Sequence, residues 1–115
     1  MNIKEIKKIA LKVRKEFEEK EINIKTLTDL YNNYNKIENI NDFIMQAQIM
    51  FPKGNCGIAS LYLKYVLKEG TIQNLEYKNN KHTVLVIDKN IIDITSDQYN
   101  GPKIYIGPIN KPYRL

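Results

Sequence analysis

The stretch Cys56-Gly57-Ile58-Ala59-Ser60-Leu61-Tyr62-Leu63-Lys64-Tyr65-Val66-Leu67-Lys68-Glu69-Gly70 decides the fold. The loop Pro52-Lys53-Gly54-Asn55 leads into it, and Gly70 supplies a C-terminal stop. Between them a helix over Cys56–Glu69 carries Ile58, Ala59, Leu61, Tyr62, Leu63, Tyr65, Val66 and Leu67 and is apolar on most sides. A helix of that kind is expected at the centre of a domain, surrounded by other elements.

Upstream of it the chain reads as helix. Residues 2–20 place Ile3, Ile6, Ile9, Ala10, Val13 and Phe17 on one stripe. A second helix is expected after Thr26, with Leu27, Leu30, Tyr31 and Tyr34 on a face. Glu38-Asn39-Ile40-Asn41-Asp42 is a break, and Asn41 or Asp42 is a fitting N-cap for a third helix through Gln48. Downstream the texture changes to short β-branched or aromatic runs, Leu75–Tyr77, His82–Ile87, Ile91–Thr95 and Lys103–Ile106, with Asp88-Lys89-Asn90 holding a hairpin turn. Helices first and an antiparallel sheet after them make the chain α+β.

With 115 residues this is one domain, 1–115, and by size scaling about two thirds of its surface is buried, enough for one core without staples. A hydrophobic share of 43% with 27% charged residues excludes a disordered chain. No apolar run is long enough to span a bilayer, the N-terminus lacks a signal-peptide core, and a single cysteine excludes an internal disulfide. These features lead us to expect a cytoplasmic protein. The net charge of +5 is concentrated at Lys4, Lys7, Lys8, Lys12, Arg14 and Lys15, where Glu5, Glu16, Glu18 and Glu19 dilute it. The reading is a solvated outer face; docking of an acidic partner or nucleic acid is the alternative, and the dilution argues against nucleic acid.

Cys56 stands where a loop becomes a helix N-terminus, where the dipole and unpaired N–H groups favour a thiolate. Gly57 leaves room for a substrate, and the Cys56 N–H is available to a developing oxyanion. His82, the sole histidine, opens a strand and titrates in the range a general base needs. Asp93 lies among isoleucines, where a carboxylate is costly unless paired. If Asp88-Lys89 is a two-residue turn, Asp93 opposes Val84 on the face of His82 and could hold the imidazole in its working tautomer; a turn shifted by one residue separates them. Singly, each has an ordinary structural reading: a small buried hydrophobe, a strand-end histidine, a satisfied core carboxylate. One cysteine and one histidine are too few for a zinc site, and no phosphate loop or dinucleotide fingerprint is present, so neither metal nor cofactor is expected.

The pieces Gly54-Asn55-Cys56-Gly57-Ile58-Ala59-Ser60, His82-Thr83-Val84-Leu85-Val86 and Ile92-Asp93-Ile94-Thr95-Ser96-Asp97-Gln98-Tyr99, in that order, resemble the papain-like and transglutaminase-like superfamily of cysteine enzymes. The last piece looks like the Asp-x-Thr element of small glutamine-deamidase-like toxin and effector domains. The resemblance covers about residues 50 to 100. It implies Cys56 as nucleophile, His82 as base and Asp93 as orienting residue, with Asp97 in reserve. Gln48 or Gln46 would stand where papain-like enzymes carry an oxyanion glutamine, although their spacing to Cys56 is loose; Asn55 or backbone alone is the alternative, and Gln98 is a further candidate for substrate contact. The 11 positions between His82 and Asp93 require a short hairpin, and Thr83 stands where transglutaminase-like relatives often carry an aromatic residue. The expected activity is attack on an amide or related acyl carbon through a thioester: deamidase or amidase first, transglutaminase-like transfer or peptide hydrolysis otherwise. Its substrate would be a protein or peptide carrying a carboxamide or amide. A non-catalytic interaction domain is the other class of reading.

Overall fold

A computed structural model describes residues 2–115. Four helices, α1 (Ile3–Glu18), α2 (Ile24–Tyr34), α3 (Ile40–Met50) and α4 (Cys56–Leu67), precede five strands. These are β1 (Thr71–Tyr77), β2 (Asn80–Ile87), β3 (Asn90–Asp93), β4 (Tyr105–Pro108) and β5 (Tyr113–Arg114), with a 3-10 turn at Ser96–Tyr99. The fold is α+β. The sheet is antiparallel in the order β4-β3-β2-β1-β5, so β2 is its centre.

Side-chain carbonyls of asparagine start the first two helices. Asn2 accepts from the Glu5 N–H at 2.9 Å, and Asn23 accepts from Lys25 and Thr26 at 2.8 and 3.3 Å. The second cap moves the start of α2 ahead of Thr26, to Ile24. At α3 neither Asn41 nor Asp42 is the cap: Asn39, in the left-handed region at φ 55°, turns the chain, and Asp42 falls in the first turn, where its charge suits the helix dipole. Helix α4 closes at Leu67 with Lys68 left-handed, before Gly70. Gly70 is still required: at φ +98° a Cβ there would lie 2.8 Å from Ile87 Cγ1 and from Leu85 Cδ1.

Two tight hairpins set the register. Lys78-Asn79 and Asp88-Lys89 all have positive φ, as a two-residue type I′ connection needs, so Tyr77 pairs with Asn80 and Ile87 with Asn90. Alternation then sorts the sheet into two faces. Leu85, Ile87 and Ile92 turn toward the helices and join Ile58, Ala59, Leu63 and Leu67 of α4 in the main core. Val84, Val86 and Ile91 turn the other way, onto Leu75, Tyr77 and Tyr113. Helix α4 is the element that touches α1, α2, β1, β2 and β3. Its outer side is less covered than its composition suggests, since Tyr65 is 55% exposed. Strand limits also differ from the sequence reading: β1 starts at Thr71, β3 stops at Asp93, β4 lies two residues later, and β5 carried no strand signal.

On α1 the lysines are exposed, but Ile3 is exposed too, and Arg14 leaves the basic face for the interior, only 5% accessible. Its guanidinium donates to both oxygens of Asp97 at 2.7 and 2.8 Å and to the Ile94 carbonyl at 2.8 Å, and stacks over Phe51 at 4.7 Å. Arg14 therefore fastens the first helix to the segment that follows β3. No described helix is long and apolar enough to cross a membrane.

Removing one partner of such a buried pair strands the other. Arg14→Met should cost about 3 kcal/mol in urea unfolding, the low end for buried pairs, because Asp97 keeps some solvent. Lys25→Ala, which breaks a pair whose side chains are 83% and 63% exposed, should change stability by under ~0.5 kcal/mol.

Candidate active site

Where β3 ends, β2 loses a partner. Leu85 pairs with Ile92, so the antiparallel ladder would next bond Thr83 to residue 94, but the chain has left the sheet by then. The N-terminal turn of α4 takes its place. Ser60 Oγ donates to the Thr83 carbonyl at 3.1 Å, and the Thr83 N–H donates to the Cys56 sulfur. A backbone gap in the sheet thereby fixes the cysteine beside Thr83, in the first half of β2.

The loop before α4 is tied down from inside. Asn55 is 1% exposed, and its amide nitrogen donates to the Ala47 and Lys53 carbonyls at 2.7 and 2.9 Å. Both of its N–H groups are engaged, so Asn55 holds the loop and is not an oxyanion donor. The N–H groups of Cys56, Gly57 and Ile58 lie in the first helical turn, ahead of the first intrahelical bond at Ala59, and those of Cys56 and Gly57 stand nearest the thiol in the chain. A Cβ on Gly57 would meet only Tyr31, at an ordinary 3.5 Å, so the space above it is open.

His82 is 1% exposed and turns onto the face of Val84 and Val86. Its Nε2 lies 2.7 Å from Asp93 Oδ2. With Nε2 engaged there, Nδ1 is the nitrogen that meets the Cys56 thiol. Asp93, 2% exposed, has the donors its burial demands: Tyr113 Oη at 2.6 Å on Oδ2, with the Thr95 N–H at 2.9 Å and Thr95 Oγ1 at 3.4 Å on Oδ1. Tyr77, Tyr99 and Tyr113 wall the imidazole, with ring centroids 5.7, 5.4 and 6.3 Å from it.

The charges reinforce one another. Burial pushes the Cys56 thiol up, but the hydrogen bonds from His82 and the Thr83 N–H outweigh it and bring the thiol below its usual value. Burial alone would lower His82; the hydrogen bonds to Asp93 and Cys56 raise it to about 9 instead. Tyr113 is pushed up by burial and by the Asp93 charge, which keeps its phenol a donor.

The structure thus brings Cys56, His82 and Asp93 together, and adds Gln98. The Gln98 amide nitrogen is 3.2 Å from His82 Nδ1, and its oxygen accepts from the Gly54 N–H at 3.3 Å. Asp97 is not at the imidazole; Arg14 holds it on the α1 side. Gln48 is half-buried on α3 and, among the described hydrogen bonds, makes none to these residues; Gln46 is exposed. Tyr113 and the aromatic wall leave no signal in the sequence. A tyrosine in a two-residue edge strand near the chain end has no local pattern to reveal it. Among the described residues no group of three or more His, Cys, Asp or Glu is placed to hold a metal ion.

A thiolate–imidazolium pair persists between the lowered cysteine value and the raised histidine value. Alkylation of Cys56 by iodoacetamide should therefore rise with an inflection below that of a free thiol. In His82→Ala the inflection should return to or above the free-thiol value. Identical titrations in both proteins would mean no pair exists.

No curated protein and no solved structure matches this chain. A model of the Phage YunG-like protein family matches residues 33–109, from the end of α2 to just past β4, a span that holds Cys56, His82, Asp93 and Gln98 and leaves α1 and Tyr113 outside. Two thirds of the chain lie within that match, and the protein belongs to the Phage YunG-like family.

Proposed function

We propose that the protein is a thiol-dependent amide hydrolase or acyltransferase in which Cys56, His82 and Asp93 act in sequence. One observation carries the reading. A half-buried thiol at a helix N-terminus meets a buried imidazole whose far nitrogen is 2.7 Å from a fully donor-satisfied carboxylate. A core that needed only packing would gain nothing from burying these groups together, since each is costly away from water unless paired.

In the reaction the Cys56 thiolate adds to the carbonyl carbon, and the Cys56 and Gly57 N–H groups receive the developing oxyanion. The tetrahedral intermediate collapses as the His82 Nδ1 proton passes to the leaving nitrogen, which departs as ammonia or an amine and leaves a thioester. Water or an amine, deprotonated by the same Nδ1, then displaces the thiolate to give acid or new amide. Asp93 accepts from Nε2–H throughout, which fixes the tautomer and stabilises the imidazolium. The resemblance to deamidase-like members of the transglutaminase-like superfamily favours a glutamine carboxamide over a peptide bond.

The test is direct. Incubated with a glutamine-containing casein digest or benzyloxycarbonyl-Gln-Gly, the wild type should release ammonia, and a rapid acid quench should show a thioester on Cys56 by intact mass. Cys56→Ala should abolish both, and His82→Ala should come close to it while the fold is kept. Asp93→Asn should be severe yet roughly tenfold or more milder, because it disturbs orientation and leaves the nucleophile in place. Hydrolysis should decline above pH 9 as the imidazolium loses its proton. A wild type that releases neither ammonia nor a peptide fragment and forms no adduct would return the chain to a binding role.

A further inference from the structure

Gln98 is held from several sides at once. Its side-chain oxygen accepts from the Gly54 N–H at 3.3 Å, and a backbone N–H can face only an acceptor, so the amide nitrogen must point the other way. There it meets two atoms, His82 Nδ1 at 3.2 Å and Thr95 Oγ1 at 3.4 Å. Thr95 Oγ1 has its own proton directed at Asp93 Oδ1, 3.4 Å away, which leaves a lone pair for Gln98. The backbone under Gln98 is anchored as well, because Arg14 grips the preceding Asp97 and the Ile94 carbonyl. The orientation of this amide is therefore set by its neighbours, and it presents an N–H to the nitrogen that faces Cys56.

An N–H can donate to Nδ1 only when that nitrogen carries a lone pair, which is the neutral imidazole. The other groups around His82 are Asp93 on β3, Cys56 on α4, and the phenols of Tyr77 on β1, Tyr99 on the 3-10 turn and Tyr113 on β5. Asp93 and the Cys56 thiolate favour the protonated ring; Gln98 opposes them. We propose that Gln98 is a positioning residue that throttles the Cys56–His82 pair, holding part of it as neutral thiol and imidazole by donating to Nδ1 from a site locked by Gly54. This rests on the reading of Cys56 and His82 as nucleophile and base. When Nδ1 takes its proton the Gln98 N–H must yield that position, so the nucleophile is armed at the cost of one hydrogen bond.

Gln98→Met keeps the side-chain bulk and removes the donor. The pH profile of Cys56 alkylation by iodoacetamide in this variant should move to lower pH, with alkylation at pH 6 roughly three- to tenfold faster than in wild type. A structural role alone would slow or leave unchanged the reaction of a small probe. An unchanged midpoint, or one moved upward, overturns the proposal while leaving the paired nucleophile intact. A wild type whose Cys56 titrates as a free thiol regardless of His82 overturns the enzyme reading itself, and the throttle with it. Should Gln98→Met not fold, nitrogen-15 NMR of the wild type decides. The His82 Nδ1 shift should report a hydrogen-bonded acceptor at high pH, and the Gln98 side-chain N–H resonance should move with the His82 titration. A Gln98 resonance indifferent to that titration overturns the proposal.

Discussion

Asp93 is a carboxylate buried on an apolar face of the sheet, and its need for donors organises the second half of the chain. An unpaired carboxylate in that position would cost several kcal/mol, so every group that satisfies it is held with corresponding firmness. Those groups come from three places: His82 at the start of β2, Thr95 in the segment just after β3, and Tyr113 in β5. The short edge strand β5 is thus fastened to the centre of the sheet by a side chain as well as by its pairing with β1. The imidazole, once docked on Asp93, has one nitrogen left, and the fold sets that nitrogen beside Cys56 and Gln98.

The cysteine arrives there by a backbone requirement rather than a side-chain one. Strand β3 is only four residues long, and its early departure leaves the Thr83 N–H and carbonyl without strand partners. Buried backbone groups must be bonded, and α4 supplies both partners, through Cys56 and Ser60. The first turn of α4 is consequently positioned by that gap, with Cys56 beside Thr83. Packing of Ile58, Leu63 and Leu67 against the helix-facing side of the sheet fixes the remaining orientation of the helix. The contacts that stabilise the helix also place the cysteine.

Arg14 extends the arrangement to the first helix. By gripping Asp97 and the Ile94 carbonyl it holds the segment between Asp93 and Tyr99, which carries Thr95 and Gln98. The basic stretch at the N-terminus therefore divides into two parts with different physics. The lysines are exposed, while the guanidinium, a planar fork suited to a bidentate carboxylate, is drawn inside.

The sequence by itself determined the order of the four helices and the first four strands and the central place of α4, and it made the shared face of His82 and Asp93 depend on a two-residue turn at Asp88-Lys89. Apolar periodicity suffices for the helix; the turn was settled by the fold, which puts Asp88 and Lys89 at positive φ and pairs Ile87 with Asn90. The sequence also marked Cys56 as a residue at a helix N-terminus. Tertiary structure alone decided which carboxylate meets the histidine and which glutamine joins it. Asp93 and Asp97 are four positions apart and chemically identical, yet one faces β2 and the other is captured by an arginine 83 residues away. Gln48 and Gln98 differ in the same way, through the elements that carry them. Tyr113 and Arg14 are invisible to any local pattern, because a hydrogen bond across the fold leaves no periodicity in the chain; it depends on where separate elements pack.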